Sequence, residues 1–126
     1  VYKLPSEELG WMPLRCPEEA KMSPLLRQLT DLRKVFLWHS FQFTIADGSV
    51  SLGSTEQCAT QGFHHGRNVG LQFHPEWDQS MLRDFAKTHQ WAEEIISVDS
   101  THLMHIEKIF SRFLNCWWED HDIELS

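Results

Sequence analysis

Nothing in the 126-residue sequence approaches the roughly 20 consecutive apolar residues that a membrane-spanning helix needs, and its longest uncharged stretches are broken by Gly, Ser or Gln. Positive charge is scarce too: 11 Lys and Arg stand against 18 Asp and Glu, a net charge of −7. Nucleic-acid affinity draws on clustered Lys and Arg that release counterions, so this balance removes DNA and RNA from the expected partners. Cysteine is sparse, with Cys16, Cys58 and Cys116 at wide spacing. An odd, scattered set suits neither a disulfide framework nor a Cys-x-x-Cys metal knuckle, and it leads to the expectation of a reducing, cytoplasmic compartment. The opening Val1-Tyr2-Lys3-Leu4-Pro5 has neither a basic region followed by an apolar one nor an initiator Met. No signal peptide is expected from it, and room is left for an upstream segment.

What is there is a globular composition, 41% apolar and 23% charged, without internal repeats. At this length folding buries roughly two-thirds of the unfolded surface, enough for one core without a metal or disulfide staple, so no cofactor and no metal is expected. Leu9 to Leu14 reads as a short strand. Ser23-Pro24 reads as an N-cap with proline in the first helical position, and Leu25, Leu26, Leu29 and Leu32 follow at helical spacing. From Lys34 to Pro75 short apolar runs are separated by turn signals at Asp47-Gly48 and His65-Gly66-Arg67-Asn68, the second predicting a hairpin. Val69 to Phe73 has the continuous apolar character of a strand covered on both faces, which predicts a place inside an α/β sheet. Asp78 is a candidate cap for a helix with the stripe Leu82, Phe85, Ala86, His89, Ala92 and Ile96. Ser100 or Thr101 is the candidate for another, with Leu103, Ile106, Phe110, Phe113, Leu114 and Trp117. One domain over 1–126 is expected: a strand-rich part to residue 77, a helical part over 78–118 and an acidic, frayed tail over 119–126.

The segment richest in chemistry is Gly70-Leu71-Gln72-Phe73-His74-Pro75-Glu76, where an apolar strand delivers an imidazole and a carboxylate at its C-terminal edge, the edge on which α/β sheets place their sites. A histidine acts as a general base when a second group fixes its tautomer and plane, and residues i and i+2 of a strand point the same way. Glu76 is therefore placed to orient His74. The alternative is that His74-Pro75 ends a strand and Glu76 is solvated.

This run resembles the histidine-and-glutamate signature of the class I glutamine amidotransferases, the triad type with a cysteine nucleophile. Trp38-His39-Ser40-Phe41 is similar to the family segment that cradles the main-chain groups of glutamine. Gly53-Ser54-Thr55-Glu56, with Cys58-Ala59-x-Gln61-Gly62-Phe63, resembles the hairpin before the catalytic strand, and Glu8-Leu9-Gly10-Trp11 the family's Glu-Ile-Gly-Trp strand. The resemblance runs in unbroken order from about Glu8 to Ala86, and is similar to free-standing members and to the amidotransferase domain of GMP synthase. It implies the C-terminal part of a three-layer, mostly parallel, flavodoxin-like sheet with a β-hairpin insertion, followed by two C-terminal helices. It also implies a Cys-His-Glu triad releasing ammonia from glutamine or another γ-glutamyl compound. His74 would be the base and Glu76 its orienter, and His39, Ser40 and Phe41 would meet the substrate.

The family nucleophile sits in a Gly-x-Cys-x-Gly turn, and none of the three cysteines has that setting: Cys16 precedes Pro17, Cys58 falls in a hairpin strand, and Cys116 lies on the last helix. The expectation is that this chain alone does not hydrolyse glutamine and that a missing N-terminal half, a second chain or a dimer partner supplies the elbow. The alternative is an inactive amidotransferase-like binding or regulatory module. His102 and His105 with Glu107, or His102 with His74 and Glu76, have spacings compatible with a metal, against the simpler reading of solvated positions. His64 and His65 read as exposed turn residues and His89 as a core-edge histidine. Trp117 and Trp118 cannot both face one core, so one of them is a candidate contact for a partner.

Overall fold

The run Val35-Phe36-Leu37-Trp38 explains the architecture, because alternate residues of a strand face opposite sides and four apolar residues in a row need cover on both. In the computed structural model, which describes the backbone of residues 2–125 and the side chains of residues 2–118, these residues lie in a strand between two cores. Val35 and Leu37 enter a core with Leu26, Leu29, Leu32, Leu52 and the helical Ile106, Ile109 and Phe113. Phe36 enters a second with Leu82, Ala86 and Ile96, against which Trp38, Trp77 and Trp91 pack.

The elements run β1 (Tyr2–Pro13), α1 (Glu18–Met22), a 3-10 turn (Leu26–Asp31), β2 (Lys34–Gln42), β3 (Val50–Gly53), β4 (Gly62–His65), β5 (Asn68–Leu71), α2 (Gln79–His89), α3 (Glu93–Ile96) and α4 (Ser100–Leu125). β1 and β2 form an antiparallel pair in which Glu8 stands opposite His39 and Leu9 opposite Trp38. β3, β4 and β5 form a second sheet in that order, also antiparallel. The chain is thus α/β, but every ladder among the described residues is antiparallel, where the resemblance implies a mostly parallel sheet, and β5 is an edge strand, where its apolar run predicts an interior one. The cause is local: the two residues between β4 and β5, Gly66 with φ +60° and Arg67, can only turn the chain back on itself, whereas parallel strands need a crossover of a dozen or more residues.

Leu26–Asp31 is a 3-10 turn rather than the predicted α-helix. Ser23 does cap it, its Oγ accepting from Leu26 N at 3.2 Å, and the buried Leu26 and Leu29 stand three apart, the repeat that a 3-10 turn places on one face. Arg33, with φ +65°, then turns the chain into β2. Asp78 caps α2 as predicted, its side chain accepting from Met81 N at 2.9 Å. Gln90 ends α2 in the left-handed region, so Ala92 and Ile96 belong to a separate region, with Ile96 closing the short α3. α4 is capped by Asp99 rather than by Ser100 or Thr101: its carboxylate accepts from Thr101 N at 3.0 Å and its carbonyl from His102 N at 2.9 Å. Trp117 is half-buried and Trp118 is 64% exposed, as two adjacent helical residues must divide. The predicted fraying at 119–126 concerns residues whose side chains lie outside the described set.

Candidate active site

Gly70 starts the site. It faces Phe63 across the β4–β5 ladder, and a Cβ at Gly70 would fall 2.3 Å from the Phe63 ring, so only glycine lets this strand lie under that side chain. Two residues past the end of β5, Phe73 is buried and bridges to Leu37, and His74 N donates to Phe36 O at 3.0 Å. The backbone before and at His74 is therefore fastened to the buried stretch of β2, Val35 to Leu37.

From that anchor the His74 side chain meets Glu76, with Nδ1 2.9 Å from Oε1. The carboxylate accepts, so Nδ1 carries the proton and Nε2 keeps the lone pair a base uses. Among the described residues Nε2 makes no hydrogen bond. The His74 side chain retains 28% of its exposure and that of Glu76 49%, so the pair faces outward. The His74 ring lies flat on Trp77, centroids 3.8 Å apart and planes 5° apart, and Trp77 in turn stacks on Phe85 of α2 at 4.6 Å. A cleft of about 420 Å³ opens on the Glu76 side, walled by Trp77, Leu103, Ile106 and Phe110. His74 does not line it, so this cleft alone is no pocket for a reacting group.

His39 is built differently. Its Nδ1 contacts Phe41 O at 2.7 Å, and its Nε2 lies 2.8 Å from Oε1 of its cross-strand partner Glu8, with the oxygen off the ring's N–H axis. Both ring nitrogens thus lie close to oxygen atoms, and only the Nδ1 contact has hydrogen-bond geometry. Glu8 is 1% exposed and also accepts from Thr55 Oγ1 at 2.6 Å and Gln61 Nε2 at 2.7 Å, while Gln61 Nε2 reaches Thr55 Oγ1 at 2.8 Å. His39 is turned inward against this network. Ser40 is half-buried and Phe41 is 54% exposed. No hydrogen bond or ring contact joins His39, Ser40 or Phe41 to His74 or Glu76.

Metal readings fare poorly against the geometry. Among the described residues, the one His/Cys/Asp/Glu group with metal-like spacing is Glu8, His39 and Cys58, their ligand atoms within 4.8 Å of one another. The 2.8 Å between His39 and Glu8 is a hydrogen-bond distance, shorter than the roughly 3.3 Å that separates two ligands at ~2.0–2.1 Å from one tetrahedral ion. Cys58 Sγ moreover donates to Thr60 O at 3.3 Å, and burial pushes its thiol up from the ordinary value, away from the thiolate a metal needs. Burial likewise raises the Cys16 thiol. Of the two helical histidines, His102 is half-buried and His105 exposed, and each tethers α4 through Nε2, to Lys34 O and Asp31 O, both at 3.0 Å. His64 is half-buried, with Nδ1 3.3 Å from Ser23 Oγ, while His65 and His89 are exposed, His89 against Trp38 at 4.7 Å.

Sequence reasoning singled out His74 and Glu76 but assigned no role to Glu8, Thr55, Gln61 or Trp77. A carboxylate on a strand that also carries core residues, and an amide just before another, were the available signal for the first network. For Trp77, the signal was its place one residue after Glu76.

Comparison with solved structures places the fold. The chain superposes on a glutamine amidotransferase from Methylobacillus flagellatus with a TM-score of 0.75 and 21% identity, covering 93% of this chain and 54% of that one. A glutamine amidotransferase from Thermotoga maritima matches with a TM-score of 0.76 and 21% identity, over 92% of this chain and 53% of that one. The chain therefore has the fold of these proteins and spans about half the length of each. No family profile and no curated protein sequence matches it.

Proposed function

We propose that the chain is the C-terminal part of a class I glutamine amidotransferase domain and supplies the base and its orienter to a Cys-His-Glu triad. The observation that carries this reading is the His74–Glu76 contact, which leaves Nε2 as the proton-accepting nitrogen, on a backbone fastened to β2. In the reaction His74 Nε2 takes the proton of a cysteine thiol, the thiolate attacks the carboxamide carbon of glutamine, and His74 returns the proton to the departing ammonia. Water then cleaves the thioester by the same base. Glu76 holds the imidazole in the tautomer each step requires. His39, Ser40 and Phe41 would meet the main-chain groups of the substrate.

The nucleophile, the amides that stabilise the oxyanion and the parallel strands of the sheet would come from sequence outside these residues, as an upstream segment, a second chain or a dimer partner. The open edge of β5 supports this, since an unpaired edge asks for a neighbour. The three free cysteines support a cytoplasmic setting, and no helix is long and apolar enough to cross a membrane. Residues to 77 would carry the site, and 78–118 its helical cover.

The second reading, an inactive binding or regulatory module, is favoured by one observation: none of the three cysteines lies in a Gly-x-Cys-x-Gly turn. A denaturing intact-mass spectrum of the protein isolated from its natural source separates the two. A polypeptide heavier than 14.8 kDa, or an associated chain, that carries the cysteine turn supports the triad. A lone species of that mass supports the module.

A further inference from the structure

An exposed pair of side chains two residues apart is weakly held, because solvent screens its attraction and two side chains lose rotamer freedom to make it. His74 and Glu76 are such a pair, yet the imidazole sits in one plane with Nδ1 on Oε1. The Trp77 indole lies beneath it at 3.8 Å and 5°, closer and flatter than any other ring pair among the described residues. The indole is itself fixed. Phe85 stacks on it at 4.6 Å, and Phe36 and Trp38 meet it at 5.7 and 6.2 Å, so its position is set by the second core.

We infer that Trp77 is a positioning residue for the proposed base, a rigid platform that sets the plane of the His74 ring and thereby the direction of Nε2. This rests on the triad reading for its catalytic meaning, but not for its geometry. A flat platform leaves the imidazole one torsional choice, flipped or not, and Glu76 decides between the two. Two weak constraints at right angles thus fix what neither fixes alone. The same π face attracts the ring when it carries a proton, as a base does midway through turnover.

The test is NMR of the histidine side chains in the 126-residue chain, comparing wild type, Trp77→Phe and Trp77→Leu. In wild type the His74 ring protons are expected to be shifted upfield by the indole ring current, and the ring nitrogens to show one tautomer, protonated at Nδ1. Trp77→Leu should lose the upfield shift and average the two nitrogens. Trp77→Phe should keep most of both effects. The signals of His102 and His105, tethered to backbone carbonyls, report whether the fold is intact. Wild-type ring protons without an upfield shift, or an unchanged tautomer in folded Trp77→Leu, overturn the proposal, and the wild-type spectrum decides even if Trp77→Leu does not fold. In the enzyme that carries the nucleophile, Trp77→Leu should lower kcat about 10- to 100-fold with little change in KM. If the tautomer averages while ammonia release is untouched, the platform stands and the triad reading fails.

Discussion

The molecule holds two histidine–carboxylate pairs of similar length and opposite character. His39–Glu8, at 2.8 Å, is enclosed: the carboxylate is 1% exposed and has Thr55 and Gln61 as its donors, and the other ring nitrogen contacts Phe41 O. His74–Glu76, at 2.9 Å, is open, half in solvent, with Nε2 uncommitted. The contact distance alone does not separate a structural pair from a chemical one. The separation comes from what the other atoms do, since a base needs a nitrogen with nothing yet to do, and a buried carboxylate needs every lone pair occupied.

The largest test of this contrast is stability. Glu8→Ala should cost about 2–3 kcal/mol in urea unfolding, because it removes the carboxylate to which the buried Thr55 hydroxyl and Gln61 amide donate. Next is Asp78→Ala, which removes the cap of α2 beside the open pair and should cost about 0.5–2 kcal/mol. Glu76→Ala should change stability by no more than about 1 kcal/mol, as befits an exposed pair. An equal loss in Glu8→Ala and Glu76→Ala would erase the contrast. A thiol reagent should leave Cys58, beside the closed pair and with its thiol raised by burial, unmodified until the protein unfolds, and rapid labelling of the native chain would show that region to be open.

The smallest effect concerns pH. The backbone N–H of Thr101 holds the Asp99 carboxyl below its ordinary value. A lowered folded value means the contribution is complete above the unfolded value of about 3.9 and is lost as pH falls through the folded one. The first turn of α4 should therefore loosen in acid, read as a smaller protection of the Thr101 amide relative to its unstructured exchange rate at the same pH, and Asp99→Asn should remove that dependence.

The sequence made the open pair legible and the closed one nearly invisible. His74 and Glu76 are two apart on one short segment, so spacing finds them. Glu8 and His39 meet only through the β1–β2 register, and Gln61 arrives from the bend before β4, so no local pattern announces the network. The helices followed the same rule. Asp78 and the α2 stripe were readable because cap and periodicity coincide. Leu25 to Leu32 misled because leucines at i and i+3 suit a 3-10 turn as well as an α-helix. The hairpin at Gly66-Arg67 was readable from its turn residues, whereas the edge position of β5 was not, because an apolar strand looks alike at the edge and inside a sheet.

The most direct measurement is ammonia release from glutamine by the protein isolated from its natural source, wild type against His74→Ala and Glu76→Gln. The account predicts a loss of at least about 10²-fold in His74→Ala with folding intact, and a smaller loss in Glu76→Gln with glutamine binding largely retained. Undiminished turnover in His74→Ala would contradict it.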